Sequence, residues 1–203
     1  MVEKSAWTRK VELNPEHSHW YVQRFRALAA AGEDLHGEAR LVDSMVPRGS
    51  RILDAGCGSG RVGGRLAQLG HEVVGVDVDP VLIEAAAEDF PGPTWLVQDL
   101  AELDLAGAGQ EAPFALIVST GNVMAFLAPS TRRLVLAKLA TALSAEGRLV
   151  VGFGAGRGYL FTDFLEDAEA AGLETDSLFS TWELHPWTPE SDFLVALLSP
   201  RRH

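Results

Sequence analysis

The sequence has a single cysteine, Cys57, among its 203 residues. No disulfide can therefore form within the chain, and the fold must be stabilised by burial of apolar side chains. No stretch approaches the roughly 18 consecutive apolar residues that a membrane-spanning helix requires. The first residues, Met-Val-Glu-Lys-Ser-Ala-Trp, lack the apolar core of a secretory signal. These absences predict a cytoplasmic protein with no membrane partner.

Basic residues are scarce: 17 Lys and Arg stand against 28 Asp and Glu, which gives a net charge of −11. The Lys and Arg residues form no cluster that could contact a phosphate backbone, so nucleic acid is not an expected partner. No spacing of Cys, His and Asp is typical of a metal site, and none is predicted. The composition, 47% hydrophobic and 22% charged, is that of an ordinary globular domain.

The most informative segment is residues 50–60, Ser-Arg-Ile-Leu-Asp-Ala-Gly-Cys-Gly-Ser-Gly. A short apolar strand ends in Asp54 and is followed by alternating glycines, Gly56, Gly58 and Gly60. A helix-forming run over 62–69 comes next. Glycine allows the main chain to pass close to a bound molecule, and the unpaired N–H groups of a helix start favour an anionic group. This loop predicts a site for a nucleotide-like cofactor.

Glycine spacing alone leaves two cofactors open. Residues 58–63 also match the dinucleotide pattern G-x-G-x-x-G, with Asp77 about 20 residues further on. However, Asp54 and Ala55 precede the first glycine, and the glycines fall on every second residue. In addition, Asp99 follows a third strand. Together the ordered motifs resemble the class I S-adenosylmethionine-dependent methyltransferases over about residues 48–155; the segments that carry the resemblance are 54–60, 73–77 and 98–100.

Strand-like and helix-like runs alternate along the chain, which predicts an α/β fold with a doubly wound, mostly parallel sheet. The predicted strands are 51–54, 72–78, 94–97, 114–119, 147–153, 175–184 and 192–198, and the helices between them are 61–69, 80–90, 131–143 and 159–171. The last two strands are separated by only seven residues, too few for a parallel crossover, so they should form an antiparallel hairpin. A seven-stranded sheet with a C-terminal antiparallel strand is similar to the class I methyltransferase fold.

Two further helices are predicted before the first strand, over 17–31 and 35–45. We expect one domain over 1–203, with an N-terminal helical cap at 1–47 and a Rossmann-like core at 48–203. The first of the two helices places four side chains on one face, His17, Trp20, Tyr21 and Arg24. The cap is expected to cover the cofactor. Whether the protein is a monomer or a homodimer is left open.

The resemblance implies a role for each residue at the strand ends. The methionine part of S-adenosylmethionine would contact Asp54, Gly56, Gly58 and Gly60, with Cys57 as a small apolar residue of the same turn. Asp77 would accept the ribose hydroxyls, and Val78 would lie on the adenine. Asp99 would accept the adenine amino group, or would only cap the short turn that follows it. Leu100 would donate its backbone N–H to the adenine ring. The sulfonium would be flanked by Ser119, Gly121 and Asn122.

The sequence indicates the residues that would bind the methyl acceptor less clearly. Residues 119–123 read Ser-Thr-Gly-Asn-Val and lack the Asn-Pro-Pro-aromatic motif, which argues against methylation of nucleobases or glutamine. Three segments are expected to converge there: the helix face above, the loop over 152–159 and the turn of the last hairpin. The candidate catalytic residues are Tyr21, Arg157, His19 and His185, where Arg157 would hold an anionic group and a histidine would accept a proton.

The predicted function is therefore S-adenosylmethionine-dependent methyl transfer to a small, partly apolar acceptor. Two alternatives remain open at this point. One is a different transfer reaction on the same fold, such as aminopropyl transfer. The other is a cofactor-binding partner or sensor protein without catalysis.

Overall fold

The structure, a computed structural model, describes residues 2–111 and 113–201. Seven strands form one sheet in the order β3-β2-β1-β4-β5-β7-β6. Their bounds are β1 Arg51–Ala55, β2 Glu72–Asp77, β3 Thr94–Val97, β4 Phe114–Ser119, β5 Leu143–Gly154, β6 Leu173–Phe179 and β7 Phe193–Pro200. β7 runs antiparallel to β5 and β6, whereas the pairs β1–β2, β1–β4, β2–β3 and β4–β5 are parallel. The predicted fold class, including the C-terminal antiparallel hairpin, is confirmed.

The α-helices of the described residues are α1 Ala6–Leu13, α2 Glu16–Ala30, α3 Gly37–Ser44, α4 Arg61–Gln68, α5 Pro80–Asp89, α6 Val123–Phe126, α7 Arg132–Ala142 and α8 Phe161–Ala170. The sequence did not predict α1, because none of its residues is buried and no apolar stripe marks it. Its start is nevertheless capped, since the Ser5 hydroxyl accepts the backbone N–H of Thr8 at 3.0 Å. None of the helices described is long and apolar enough to cross a membrane.

The central strands are buried on both faces, as parallel strands are. Leu53 and Ile117 contribute to one apolar cluster, together with residues of α7 and α8. Their neighbours Ile52 and Leu116 point to the opposite face and pack with α3 and α4. Both clusters hold the strands rigidly, so the carboxyl ends of β1, β2 and β4 lie at one fixed edge of the sheet.

The N-terminal helices divide into two groups by their contacts. α3 packs directly on the sheet, because Ala39 and Val42 are fully buried in the second cluster. α1 and α2 lie instead over the β2–α5 corner, where Val22 packs on Leu82 and Ala85 in a small separate cluster. We call α1 and α2 the cap. The boundary at residue 47 stays a prediction.

Candidate functional site

A cavity of about 370 Å³ lies at the carboxyl ends of β1, β2 and β4, beneath the cap. This is the edge at which open α/β sheets bind their ligands. Nine of the twelve residues predicted to bind the cofactor line the cavity: Gly56, Cys57, Gly58, Asp77, Val78, Asp99, Leu100, Gly121 and Asn122. The strands bring these residues together from four separate segments of the chain.

Two glycines of the loop after β1 have a left-handed backbone, and at one of them a side chain would also clash with a neighbour. Gly56 has a φ of +82°, and a Cβ there would lie 2.4 Å from the Cγ2 atom of Val123. Gly58 has a φ of +55°, and a Cβ there would lie 3.5 Å from the ring of Tyr21. The loop therefore presents bare main chain to the cavity, as a closely bound ligand requires.

Asp77 ends β2 and faces the same loop. Its Oδ2 accepts the backbone N–H of Gly58 at 2.9 Å, and its Oδ1 accepts that of Asp79 at 3.0 Å. Burial raises the pKa of Asp77 to about 6, although both hydrogen bonds oppose this shift. Each oxygen of an ionised carboxylate can accept more than one hydrogen bond, so Asp77 retains capacity for donors in the cavity.

Of the two roles that the sequence left open for Asp99, the structure shows the capping role. Its Oδ1 accepts the backbone N–H of Ala101 at 2.8 Å and so caps the 3₁₀ turn at Leu100–Glu102. Asp99 also belongs to the cavity lining, as does Val78. The capping role is thus present, and the contact with adenine stays a prediction.

Asp54 and Gly60, which were predicted to contact the cofactor, lie behind the loop and outside the cavity lining. Asp54 is 1% exposed, and its Oδ2 accepts the backbone N–H of Gly63 at 2.8 Å. Its Oδ1 is buried without a hydrogen-bond partner, and burial raises its pKa to about 7. Gly60 is required for packing, because a Cβ there would lie 2.9 Å from the indole of Trp95. Both residues therefore hold the loop in its conformation, through a hydrogen bond at Asp54 and close packing at Gly60.

The predicted sulfonium neighbours also separate. Ser119 is outside the cavity lining, and its buried hydroxyl donates to the carbonyl of Ala55 at 2.9 Å, which ties the end of β4 to that of β1. Asn122 remains in the lining with a φ of +69°, and its Oδ1 accepts the backbone N–H of Gly154 at 2.8 Å. The predicted position of Ser119 beside the sulfonium is therefore corrected, since its side chain links β4 to β1 by a hydrogen bond.

The α2 face that the sequence analysis selected lies at the cavity. His17, Trp20, Tyr21 and Arg24 all line the cavity, and so does Arg157 from the loop after β5. Burial raises the pKa of Tyr21 to about 12, so its phenol is neutral. The guanidinium of Arg24 lies 5.7 Å from the ring centre of Trp20. These side chains give the outer part of the cavity aromatic walls and cationic groups.

The two histidines selected from the sequence do not reach this cavity. His19 is exposed on α2, about 200° around the helix from His17, and therefore points away from the lining. His185 is exposed in the β6–β7 connection, where its carbonyl accepts the backbone N–H of Ser180. The hairpin turn serves packing instead: Trp182 covers Gly152, and Trp187 lies on Phe161. The expected convergence of this turn on the site is corrected.

Several lining residues were missed from the sequence. Trp7 of α1 is the centre of an aromatic group, with ring centres 5.2 Å from His17, 5.4 Å from Tyr21 and 5.9 Å from Phe126. Arg61 begins α4 and makes a two-pronged ion pair with Glu38, at 2.5 and 2.7 Å. Arg61 could have been selected from the sequence, because it directly follows Gly60, the last of the alternating glycines. Nothing in the polar sequence of α1 marked Trp7.

Within residues 2–111 and 113–201, no group of three or more His, Cys, Asp or Glu side chains is placed to hold a metal ion. Cys57 is buried, and burial raises the pKa of its thiol well above the usual value. It therefore stays protonated and acts as a small apolar residue of the turn.

Residues 52–147 match the model of a family described as methyltransferase domain. The solved structure of a TehB-like SAM-dependent methyltransferase from Corynebacterium glutamicum superimposes with a TM-score of 0.88 and is 54% identical, over 93% of this chain and 100% of that one. A ribosomal protein L11 methyltransferase from Symbiobacterium thermophilum is 33% identical over 79% of this chain. An uncharacterized methyltransferase from Mycobacterium tuberculosis is 40% identical over 39% of this chain.

The two curated relatives are longer than the regions that match. The chain spans 46% of the length of the Symbiobacterium protein and 41% of the Mycobacterium protein. The Corynebacterium structure, in contrast, is matched over its full length.

Proposed function

Since the chain belongs to the class I S-adenosylmethionine-dependent methyltransferases, we propose that it methylates a small acceptor bound in the cavity beneath the cap. The observation that carries the proposal is the set of strand-end residues around this cavity. Gly56 and Gly58 supply a main-chain surface, and Asp77 supplies a carboxylate for two ribose hydroxyls. S-Adenosylmethionine would contribute an electrophilic methyl group on a sulfonium.

The chain's own contribution to such a reaction is position and exclusion of water. Methyl transfer is an in-line displacement, so fixing the acceptor atom behind the methyl group accounts for much of the acceleration. Trp7, Trp20 and Phe126 line the cavity from the cap and from α6. Their rings can hold an apolar part of the acceptor and exclude water around the reacting atoms.

The charges around the cavity favour an acceptor with an anionic group. Its lining includes Lys10, Arg24 and Arg157, and none of the three forms an ion pair within the described residues. The unpaired lining carboxylates are Asp77 and Asp99. The cofactor adds an ammonium, a sulfonium and one carboxylate, so the occupied cavity has an excess of positive charge. An anionic acceptor would neutralise it, and a cationic rim on a chain of net charge −11 would attract anions locally.

Where the acceptor loses a proton, His17 is the lining residue suited to receive it. Burial and the nearby Lys10 lower the pKa of His17, while Asp79 opposes that shift. The imidazole is therefore neutral near pH 7 and can accept a proton. It lies between the rings of Trp7 and Trp20, which fix its position.

The test is formation of S-adenosylhomocysteine with a panel of small aromatic acids, followed by comparison of two arginine variants. Arg157→Lys should raise the acceptor KM about tenfold and leave cofactor affinity unchanged, because lysine cannot form a two-pronged contact with an anion. Arg148→Lys, an exposed arginine of β5 outside the cavity lining, is the matched control. Equal KM values for both variants would contradict the role of Arg157.

The same assay separates the competing functions. The similarity to a ribosomal protein L11 methyltransferase makes a protein side chain the second candidate acceptor. Methylation of cell-extract protein, with no turnover of small acids, would favour it. Aminopropyl transfer would release methylthioadenosine from the decarboxylated cofactor. A sensor protein would bind the cofactor and release no product with any acceptor.

A further inference from the structure

Asp79 joins the cap to the corner after β2. It is 4% exposed, and its Oδ2 accepts two side-chain hydrogen bonds, from Trp7 Nε1 of α1 at 2.8 Å and from Ser18 Oγ of α2 at 2.5 Å. Its Oδ1 accepts the backbone N–H of Val81 at 2.9 Å and so caps α5. One buried carboxylate therefore fixes three helices at once.

Asp79 is also hydrogen-bonded to the candidate cofactor site. The backbone N–H of Asp79 donates to Asp77 Oδ1, and Asp77 Oδ2 accepts the backbone N–H of Gly58. A continuous set of hydrogen bonds thus runs from Ser18, through Asp79 and Asp77, to the glycine loop. Hydrogen bonds that share partners in this way are energetically coupled.

The other contacts of the cap with the core are aromatic, apolar or exposed. The ring of Trp7 lies 5.9 Å from that of Phe126, and the guanidinium of Arg61 lies over the ring of Phe25. Val22 packs on Leu82 and Ala85, and Arg26 makes exposed ion pairs with Glu88 and Asp89 on α5. Exposed ion pairs of this kind contribute little. Within the described residues, Asp79 is thus the buried side chain that accepts hydrogen bonds from the cap, and it lies two residues from the proposed ribose acid.

We propose that Asp79 is a positioning residue that couples docking of the cap to ribose binding at Asp77. When α1 and α2 are docked, Trp7 and Ser18 fix the Asp79 side chain, and the Asp79 backbone then fixes the orientation of the Asp77 carboxylate. By linkage, a ribose held on Asp77 favours the docked cap to the same extent. The proposal rests on the proposed function, since it takes Asp77 as the ribose ligand.

The test is a double-mutant cycle between Ser18→Ala and Asp77→Ala, with the dissociation constant of S-adenosylhomocysteine as the readout. Ser18 is fully buried and does not line the cavity, so it cannot act by direct contact with the ligand. Ser18→Ala should weaken binding about fivefold or more in the native background. In the Asp77→Ala background, the same change should have almost no effect.

Arg26→Ala is the matched control, because it removes a contact between α2 and α5 without touching Asp79. The effects of Arg26→Ala and Asp77→Ala on the dissociation constant should add in the double variant. Hydrogen exchange supplies a second readout: the ligand should slow exchange in α1 and α2 of the native protein, but not in Asp79→Ser, where serine still caps α5.

Additive effects of Ser18→Ala and Asp77→Ala, or equal protection of the cap in Asp79→Ser, would overturn the proposal. These outcomes differ from failure of the proposed function, in which the native protein itself would not bind S-adenosylhomocysteine. Since Ser18→Ala only removes a hydroxyl from a helix, it should fold even where Asp79→Ser does not.

Discussion

Replacing Asp77 by alanine should separate stability from cofactor affinity. At neutral pH the charged carboxylate destabilises the fold, because its pKa is raised from 3.8 to about 6, which corresponds to about 3 kcal/mol. Removing it relieves that cost but leaves the N–H groups of Gly58 and Asp79 without their acceptor. Each loss costs about 1–2 kcal/mol beside an accessible cavity. The two effects nearly cancel, so the free energy of unfolding should change by less than about 2 kcal/mol.

Cofactor affinity should change far more. Two charge-assisted hydrogen bonds to the ribose would be lost, which corresponds to about 2–4 kcal/mol, or roughly a 30- to 1,000-fold weaker dissociation constant. Calorimetric titration with S-adenosylhomocysteine measures this loss. Asp99→Ala is the matched control at the next strand end, where one bond to the adenine amino group should cost about tenfold. An Asp77→Ala protein that folds and binds like the native one would refute the assignment.

The direction of the pH dependence gives a second check on Asp77. Its raised pKa means that the destabilisation is fully present above pH 6 and disappears as the pH falls towards 3.8. The contribution of Asp77 to stability should therefore increase between pH 7.5 and 5, while protonation weakens ligand binding over the same range. Asp77→Ala should remove this weakening of affinity. An unchanged pH dependence of affinity in the variant would contradict the reasoning.

Three further outcomes are expected. Gly56→Ala should destabilise the protein by about 2–4 kcal/mol in thermal unfolding, because φ is +82° and the new methyl meets Val123; Val123→Ala should restore part of the loss. His17→Gln should lower turnover more than about tenfold and remove the acidic limb of the pH–rate profile, whereas His19→Gln should change neither. Deleting residues 1–30 should abolish transfer while weakening S-adenosylhomocysteine binding much less; normal turnover would show that the cap has another task.

The elements of the sheet could be predicted from the sequence because their signals are local. β3 and β4 begin and end at the predicted residues, and β1 differs by one residue. Glycine at 56 and 58 was informative because both positions have positive φ, which glycine adopts most readily, and a Cβ at Gly56 would also clash with Val123. Asp77 could be placed because parallel strands bring their carboxyl ends to one edge.

What the sequence did not predict depends on contacts between distant segments. The indole of Trp7 donates to Asp79, 72 residues away, and no periodicity in α1 signals that bond. His19, a candidate base from the sequence, lies outside the cavity lining, because helical spacing groups residues by face but does not say which face meets the cavity. Gly60 carried the loop pattern, yet it is needed for packing on Trp95.

Several unusual backbone and burial features lie at or beneath this cavity, although others, such as the positive φ of Leu184, lie elsewhere in the described residues. Gly56, Gly58 and Asn122 have positive φ at this edge of the sheet, and asparagine is among the residues other than glycine that adopt this conformation most readily. Behind the loop, Asp54 keeps a buried oxygen without a partner and a pKa of about 7. Such features persist only where the surrounding structure holds them, as the two apolar clusters do here. The unpartnered oxygen of Asp54 lowers stability, and a buried polar group of this kind beside a cleft is typical of a binding site.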